Sequence, residues 1–149
     1  MDTLHILLIE DDPGDARLIL EIISDVDGSL FSLRRTDRLE TGLESLRNEP
    51  TDLILLDLML PDSTGLTTLR HTQADAGAVP IVVLAARLDK HLAISAVSHG
   101  ACDFLIKEHI EREALARVLH LADDNHRHHV NEVHLESVDE PPITRQFGH

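Results

Sequence analysis

The residues best suited to metal or phosphate chemistry stand at the ends of apolar segments in this sequence. Glu10, Asp11 and Asp12 follow the first apolar segment, LHILLI, Asp57 follows LILL, and Lys107 follows FLI. Carboxylate oxygens are the ligands that hard divalent cations prefer, and a carboxylate can also act as a nucleophile. A lysine supplies a point charge that can pair with a phosphoryl group. The spacing therefore raises the question of which elements bring these residues together.

Four apolar segments have the length and composition of strands that are covered on both faces. Each is a continuous or nearly continuous apolar run, interrupted only by His5 in the first, rather than an alternation of apolar and polar residues. Such runs are typical of a parallel sheet. The runs cover residues 4–9, 53–56, 81–84 and 104–106, and a weaker candidate lies near residues 30–33. The pattern therefore predicts five strands.

Segments with helical periodicity separate the predicted strands. Asp12 and Pro13 are typical of the N-cap and first turn of a helix. The apolar stripes that follow the i, i+3, i+4 rule are Ala16–Ile19–Leu20–Ile23, Leu39–Leu43–Leu46, Leu88–Leu92–Ala96 and Leu115–Val118–Leu119–Ala122, and a shorter helix is expected over residues 63–73. Strands alternating with helices predict an α/β fold with a parallel sheet and right-handed crossovers.

The last part of the sequence has a different composition. Residues 123–149 are polar and rich in histidine, and they lack a sustained apolar face. We therefore predict one domain over residues 1–122 and a tail over residues 123–149 that is either disordered or a frayed helical extension. The tail histidines lack a fixed scaffold, so we expect only adventitious binding of transition metals.

The composition excludes several classes of protein. The chain has 149 residues, a formal net charge of −14, a pI near 5.0 and only 2% aromatic residues, which argues against direct binding of nucleic acid. Cys102 is the single cysteine, so no internal disulfide can form, and we expect it to be a small buried hydrophobe. No segment resembles a signal peptide or a membrane span, which predicts a cytoplasmic protein with no membrane association.

The predicted topology brings the polar residues to one edge of the sheet. In an open parallel sheet, ligands bind beyond the carboxyl ends of the strands, where Glu10, Asp11, Asp57 and Lys107 would meet. Carboxylates a few ångströms apart repel each other by about 1–4 kcal/mol per pair, and Mg²⁺ would offset that repulsion. Asp57 is then the best-placed nucleophile. The alternative is that the acids are only helix caps or solvated residues and that Lys107 is a surface lysine.

Four segments resemble the receiver domain of bacterial response regulators. They are ILLIEDDPGDARLI, DLILLDLMLPDSTGL, VPIVVLAA and GACDFLIK, and they occur in the order and spacing of that family. The resemblance covers about residues 4–121. It implies a flavodoxin-like, doubly wound (βα)5 fold with a central five-stranded parallel sheet of order 2-1-3-4-5.

The resemblance also implies roles for individual residues. Asp57 looks like the phosphoacceptor and a ligand of Mg²⁺, and Lys107 looks like the lysine that contacts the phosphoryl oxygens. Glu10 and Asp11 look like the acidic pair, in which Asp11 binds Mg²⁺ directly and Glu10 acts through water. The backbone carbonyl of Met59 is a further expected ligand.

The switch residues of the family match less completely. Phe104 occupies the place of the aromatic residue that moves on activation, and Pro61 and Gly65 match the turn after the acceptor strand. Ala85 stands where the family has Thr or Ser, which removes a hydrogen-bond donor worth about 0.5–1.5 kcal/mol. Glu108 stands where many members have Pro.

Three function classes follow from these features. The first is a phosphoacceptor switch, not an enzyme acting on other molecules, which receives a phosphoryl group from a sensor histidine kinase or phosphotransfer protein. It would signal to a downstream protein, and the face of its fourth and fifth helices could also join two copies of the chain. The second is a docking module that ignores phosphate, favoured by Ala85. The third, a phosphohydrolase, is disfavoured because Met59 stands where such enzymes have a second acid.

Overall fold

Strands and helices alternate through the whole of the computed structural model, which describes residues 3–26 and 30–139. The strands are β1 (Leu4–Ile9), β2 (Phe31–Thr36), β3 (Leu53–Asp57), β4 (Met59–Leu60), β5 (Ser63–Thr64), β6 (Ile81–Ala85) and β7 (Asp103–Ile106). The helices are α1 (Pro13–Ser24), α2 (Leu39–Asn48), α3 (Leu66–Ala76), α4 (Lys90–Ser98) and α5 (Arg112–Asp139), with a 3₁₀ turn at Arg87–Asp89. The predicted alternation of five long strands with five helices is confirmed.

The five longer strands form one parallel sheet in the order β2-β1-β3-β6-β7. This is the predicted order 2-1-3-4-5 when the two short strands are left out. The register pairs Ile9 with Leu56, Asp57 with Leu84, and Ala85 with Ile106. The carboxyl ends of β1, β3, β6 and β7 therefore lie side by side at one edge of the sheet.

Helices cover both faces of the sheet, which explains the apolar runs. Leu7 and Ile9 of β1 pack into a core with α2, α3 and α4, whereas Ile6 and Leu8 pack into a second core with α1 and α5. Since successive side chains of a strand point to opposite faces, both sets of side chains of a central strand are covered, which favours apolar residues along most of its length. All residues of β3 and β6 are buried accordingly.

A short hairpin after β3 was not predicted from the sequence. Strands β4 and β5 pair in antiparallel fashion, so α3 begins at Leu66 and not at residue 63 as expected. Gly65 lies between the hairpin and the helix with φ +74° and ψ −154°, a conformation open only to glycine. Its N–H donates a hydrogen bond of 2.8 Å to the carbonyl of Leu58 and so closes the hairpin over the end of β3.

Cys102 is exposed, and the expectation that it is buried was wrong. It precedes β7 instead of lying within it, and its backbone N–H donates to the carbonyl of Ile81 at 2.8 Å. The neighbouring Ala101 occupies the buried position in its place.

Helix α5 continues past the predicted domain boundary. It runs without interruption to Asp139, so residues 123–139 form a helical extension, while residues 140–149 lie outside the described residues. The ring Nδ1 of His126 lies 3.2 Å from the buried carboxylate of Asp52, which also accepts a hydrogen bond from the backbone of His5. The boundary at residue 122 stays a prediction. No helix among the described residues has the length and apolar character needed to span a membrane.

Candidate functional site

Three carboxylates meet at the carboxyl edge of the sheet. Glu10 follows β1 and is fully buried, Asp11 is exposed in the loop leading to α1, and Asp57 is the last residue of β3 with 5% exposure. One oxygen from each of these side chains lies within 4.8 Å of the others. Three hard oxygen donors at this separation suit a divalent cation such as Mg²⁺. The sequence-based expectation that these acids converge is therefore confirmed by the geometry.

Lys107 reaches into the same site from the loop after β7. Its ammonium group lies 3.0 Å from a carboxylate oxygen of Glu10 and 3.0 Å from one of Asp57. A third contact, at 2.9 Å, joins it to Asp15 in the first turn of α1. An ammonium group has three N–H donors, so three carboxylates satisfy it fully. Lys107 is thus a largely covered cation with three carboxylate partners and not a solvated surface lysine.

The electrostatics of the site follow from burial and from charge pairing. The pKa of Glu10 is raised to about 8, first by burial and second by the neighbouring Asp57, while the contact with Lys107 acts in the opposite direction and is outweighed. Burial acts to lower the pKa of Lys107, but its hydrogen bonds with Asp15 and Glu10 and the charge of Asp57 outweigh burial and raise that pKa. The lysine therefore stays charged, whereas Glu10 binds a proton more tightly than an exposed glutamate does.

Backbone hydrogen bonds hold the acidic side chains in place. One carboxylate oxygen of Asp57 accepts from the N–H of Met59 at 2.8 Å, while the other faces Lys107. The carboxylate of Glu10 accepts from the N–H of Asp12 at 3.2 Å. Asp57 is therefore anchored through both oxygens. The role expected for the Met59 carbonyl stays a prediction.

Two residues that the sequence did not indicate complete the surroundings of the site. Asp15 contacts Lys107, and Arg35, near the end of β2, donates to the backbone carbonyls of Glu10 and Asp11 at 3.0 and 3.1 Å. Arg35 thus fixes the backbone of the acidic loop from the neighbouring strand. Asp15 had the appearance of an ordinary acid in a first helical turn, and β2 was only weakly predicted, so neither residue carried a distinctive signal.

The residues expected to transmit the switch, Ala85 and Phe104, match the family less completely than the acidic residues do. Ala85 ends β6 and is buried, and it has no hydroxyl with which to bind a phosphoryl group. Phe104, in β7, is half-buried against the core formed with α2, α3 and α4. Glu108 joins the loops after β7 and β6, because its carboxylate accepts a hydrogen bond of 2.8 Å from the N–H of Arg87.

The face formed by α4, β7 and α5 carries a groove with a volume of about 470 Å³. Its lining includes Phe104 and the ion pair between Arg117 and Asp103, whose charged atoms lie 2.7 Å apart. Beside it α4 exposes Ile94 and Val97. A charged groove beside exposed aliphatic side chains has the features of a protein-docking surface.

The chain is similar in sequence to bacterial regulators of known family. It is 35% identical over 120 residues to the DNA-binding response regulator MtrA of Mycolicibacterium smegmatis, covering 79% of this chain and 51% of the relative. It is 32% identical over 117 residues to the transcriptional regulatory protein BaeR of Escherichia coli O6:H1, covering 78% of this chain and 47% of the relative. The chain therefore spans about half the length of these curated relatives.

Solved structures share the fold. The N-terminal signal receiver domain of a two-component system response regulator from Bacteroides fragilis superimposes with a TM-score of 0.69 at 24% identity, covering 79% of this chain and 95% of that one. The receiver domain of the sensor histidine kinase PA1611 from Pseudomonas aeruginosa, solved with a magnesium ion in its active-site cleft, superimposes with a TM-score of 0.64 at 26% identity, covering 79% and 95%.

The family match covers most of the chain and includes every residue of the site. Residues 6–119 match the response regulator receiver domain, a span that contains Glu10, Asp11, Asp57 and Lys107. The sheet order, the three converging carboxylates and the buried lysine agree with that match. The chain belongs to the family of response regulator receiver domains of bacterial two-component systems.

Proposed function

We propose that the chain is a phosphoacceptor switch in which Asp57 receives a phosphoryl group. The three converging carboxylates of Glu10, Asp11 and Asp57 are called the acidic group. The observation that carries the proposal is that Asp57 belongs to this group, contacts Lys107 at 3.0 Å and ends a central strand. One oxygen of Asp57 would attack phosphorus, and an acyl–phosphate bond would form as the bond from phosphorus to the donor breaks. The electron pair of the broken bond leaves with the donor, which is the imidazole of a phosphohistidine or a carboxylate in the case of acetyl phosphate.

Mg²⁺ fits the residues present, and we propose Glu10, Asp11, Asp57 and the carbonyl of Met59 as the groups that would hold it. When bound, the ion would neutralise charge on the carboxylates and on the phosphoryl oxygens. Lys107 would supply a second positive charge to the phosphoryl oxygens. Glu10 would give up its proton when the ion binds, since burial raises its pKa while the cation favours its charged form.

The donor and the target of the switch are proposed from the family. A sensor histidine kinase or a phosphotransfer protein would donate to Asp57, and the chain would catalyse only its own phosphorylation and dephosphorylation, in the cytoplasm. The groove and the exposed aliphatic residues of the α4–β7–α5 face would contact a downstream protein or a second copy of the chain. The acidic net charge of −14 argues against direct binding of nucleic acid by this domain.

A specific observation favours a second function. Ala85 cannot bond a phosphoryl oxygen, so phosphate on Asp57 lacks the usual route to the loop after β6. A domain of this kind could dock to a partner in the same way with or without phosphate. We rank this docking module second, because the acidic group and Lys107 are complete.

The phosphoacceptor proposal is tested by incubating the protein with Mg²⁺ and acetyl phosphate and locating the added phosphoryl group by mass spectrometry. We expect one phosphoryl group on Asp57, none in the Asp57→Asn variant, and none when a chelator removes Mg²⁺. The Asp75→Asn variant, which alters an aspartate of α3 paired with Arg47 on the surface, is the matched control and should be phosphorylated normally. An adduct that survives Asp57→Asn would overturn the proposal.

The docking module makes a different prediction. Beryllofluoride, a mimic of the phosphoryl group, would bind the site in both cases. A phosphate-controlled switch changes hydrogen exchange in the Arg87–Asp89 turn and α4, and it changes affinity for the partner. Binding of the mimic without either change would favour the docking module.

A further inference from the structure

The three acceptors of Lys107 differ in their relation to the acidic group. Glu10 and Asp57 belong to the set of carboxylates that converge within 4.8 Å, whereas Asp15 does not. Yet the contact with Asp15, at 2.9 Å, is as short as the other two. A metal ion held by the acidic group would bind Glu10 and Asp57. Among the described residues that contact Lys107, Asp15 would then remain available to the lysine.

A bound divalent cation and the ammonium group would compete for the same oxygens. Both are positive, and both would depend on Glu10 and Asp57 for negative charge. Each cation would therefore weaken the binding of the other to these two carboxylates. Only 12% of the Lys107 side chain is exposed, and solvent therefore screens this competition weakly. An acceptor outside the group relieves the competition, because it gives the ammonium a counter-charge that the metal does not share.

Asp15 is built to serve as that acceptor. It lies in the first turn of α1, and its backbone N–H donates to the carboxylate of Asp12 at 2.8 Å, which caps the helix. The cap uses the backbone of Asp15 and not its side chain. The cap therefore fixes the backbone of Asp15 and leaves its side chain, which is 36% exposed, to bind Lys107 through Oδ2.

We infer that Asp15 is a positioning residue, which holds Lys107 beside Asp57 from the α1 side and so allows the lysine and Mg²⁺ to occupy the site together. The inference rests on the proposed function and deepens it. Asp15 does not touch the phosphoryl group. It acts through Lys107. While Lys107 stays bound to Asp15, its hydrogen bonds to Glu10 and Asp57 can break, so that these carboxylates bind the metal and an N–H of the lysine donates to the phosphoryl oxygens.

The experiment is a double-mutant cycle in the full chain, with Asp15→Asn, Lys107→Met and the double variant. Asn keeps the shape of Asp and leaves the helix cap intact. Mg²⁺ affinity is measured by calorimetry without phosphodonor, and phosphorylation by acetyl phosphate is measured as a function of Mg²⁺ concentration. Asp15→Glu tests rescue by a second carboxylate. Glu21→Gln, which removes an equal charge from the exposed side of α1, is the matched control.

We expect Asp15→Asn to weaken Mg²⁺ binding about tenfold, equivalent to about 1.4 kcal/mol. The Mg²⁺ concentration for half-maximal phosphorylation should rise in parallel. In the Lys107→Met background the same change should alter Mg²⁺ affinity by no more than about twofold, since the competitor is already gone. Asp15→Glu should restore most of the affinity, and Glu21→Gln should leave it unchanged.

The outcomes separate this inference from the proposed function. An equal effect of Asp15→Asn in both backgrounds, or an effect no larger than that of Glu21→Gln, overturns the positioning role while phosphorylation of Asp57 stands. If the Mg²⁺ affinities follow the expected pattern but the protein takes up no phosphoryl group, the proposed function is overturned. The positioning of Lys107 by Asp15 then still stands. A wild-type protein that binds no Mg²⁺ overturns both.

Discussion

Replacing Glu10 with Gln should change how the stability of the metal-free protein depends on pH. Glu10 is fully buried, and burial together with the neighbouring Asp57 outweighs the contact with Lys107 and raises its pKa from 4.5 to about 8. The folded state then retains a proton that the unfolded state has lost. Stability should therefore fall as pH rises from about 4.5 to about 8, because the folded state binds more protons in that window. Gln resembles the protonated glutamate at every pH.

The size of the effect follows from the width of that window. Each unit of pKa corresponds to about 1.4 kcal/mol, so the full difference would approach about 5 kcal/mol. Glu10 interacts with Asp57 and Lys107, so its titration is linked to theirs. We therefore expect the substitution of Glu10 alone to change the free energy of unfolding by only part of this amount. We expect the Glu10→Gln variant to match the wild type at pH 5 and to exceed its free energy of unfolding by about 2–3 kcal/mol at pH 9.

Urea unfolding in the presence of a chelator, at pH 5 and at pH 9, measures both free energies. The comparison of variant with wild type cancels the titration of the histidines, which the two proteins share. Glu44→Gln, an exposed acid of α2, is the control and should show no such difference. Added Mg²⁺ should stabilise the wild type more than the variant at pH 9. A wild type that is as stable as Glu10→Gln at pH 9 without Mg²⁺ would refute the reasoning.

Three further predictions concern the elements that frame the site. Gly42→Ala should lower the free energy of unfolding, measured by urea titration, by about 1–3 kcal/mol, because the added Cβ would lie 2.5 Å from the side chain of Ile9. An unchanged urea midpoint would contradict the close packing of α2 on β1. Asp62→Ala should cost about 0.5–2 kcal/mol, since the carboxylate accepts hydrogen bonds of 2.8 and 2.9 Å from the first two N–H groups of α2. Desolvation acts to raise the pKa of Asp62, but these hydrogen bonds outweigh it and lower that pKa. The stability advantage of the wild type should therefore persist at neutral pH and shrink only as pH falls through the lowered pKa. Ala85→Thr should increase the change in hydrogen exchange of α4 caused by beryllofluoride, because it supplies the missing hydroxyl; an unaltered change would show that readout does not depend on this position.

Much of the fold could be predicted from residue patterns. Apolar runs marked β1, β3, β6 and β7, since side chains covered by helices on both faces of a sheet are mostly apolar. The edge strand β2 is only partly buried, and its sequence, FSLRRT, therefore carried a weaker signal. The β4–β5 hairpin has only two residues in each strand, and no periodicity can develop over that length.

The sequence pattern left two alternatives open for the segment after residue 122. Residues 123–139 lack an apolar stripe, and they were expected to be either disordered or a frayed helical extension. In the structure they continue α5, and the contact of His126 with Asp52 joins residues 74 positions apart. A hydrogen bond of that kind depends on the relative placement of a helix and a strand end, which no local pattern records.

The sequence by itself determined the identity of the chemical groups and the edge at which they meet. Glu10, Asp11, Asp57 and Lys107 each follow an apolar run, and parallel connectivity brings the carboxyl ends of such runs together. Only the tertiary structure decided how those groups share their charges. The ammonium of Lys107 has three partners, one of which is Asp15 from α1, and the depth at which β1 is buried places Glu10 out of water. Packing sets distances and burial, and these in turn set the pKa values of Glu10 and Lys107, because electrostatic energies depend on separations of a few ångströms and on the local dielectric.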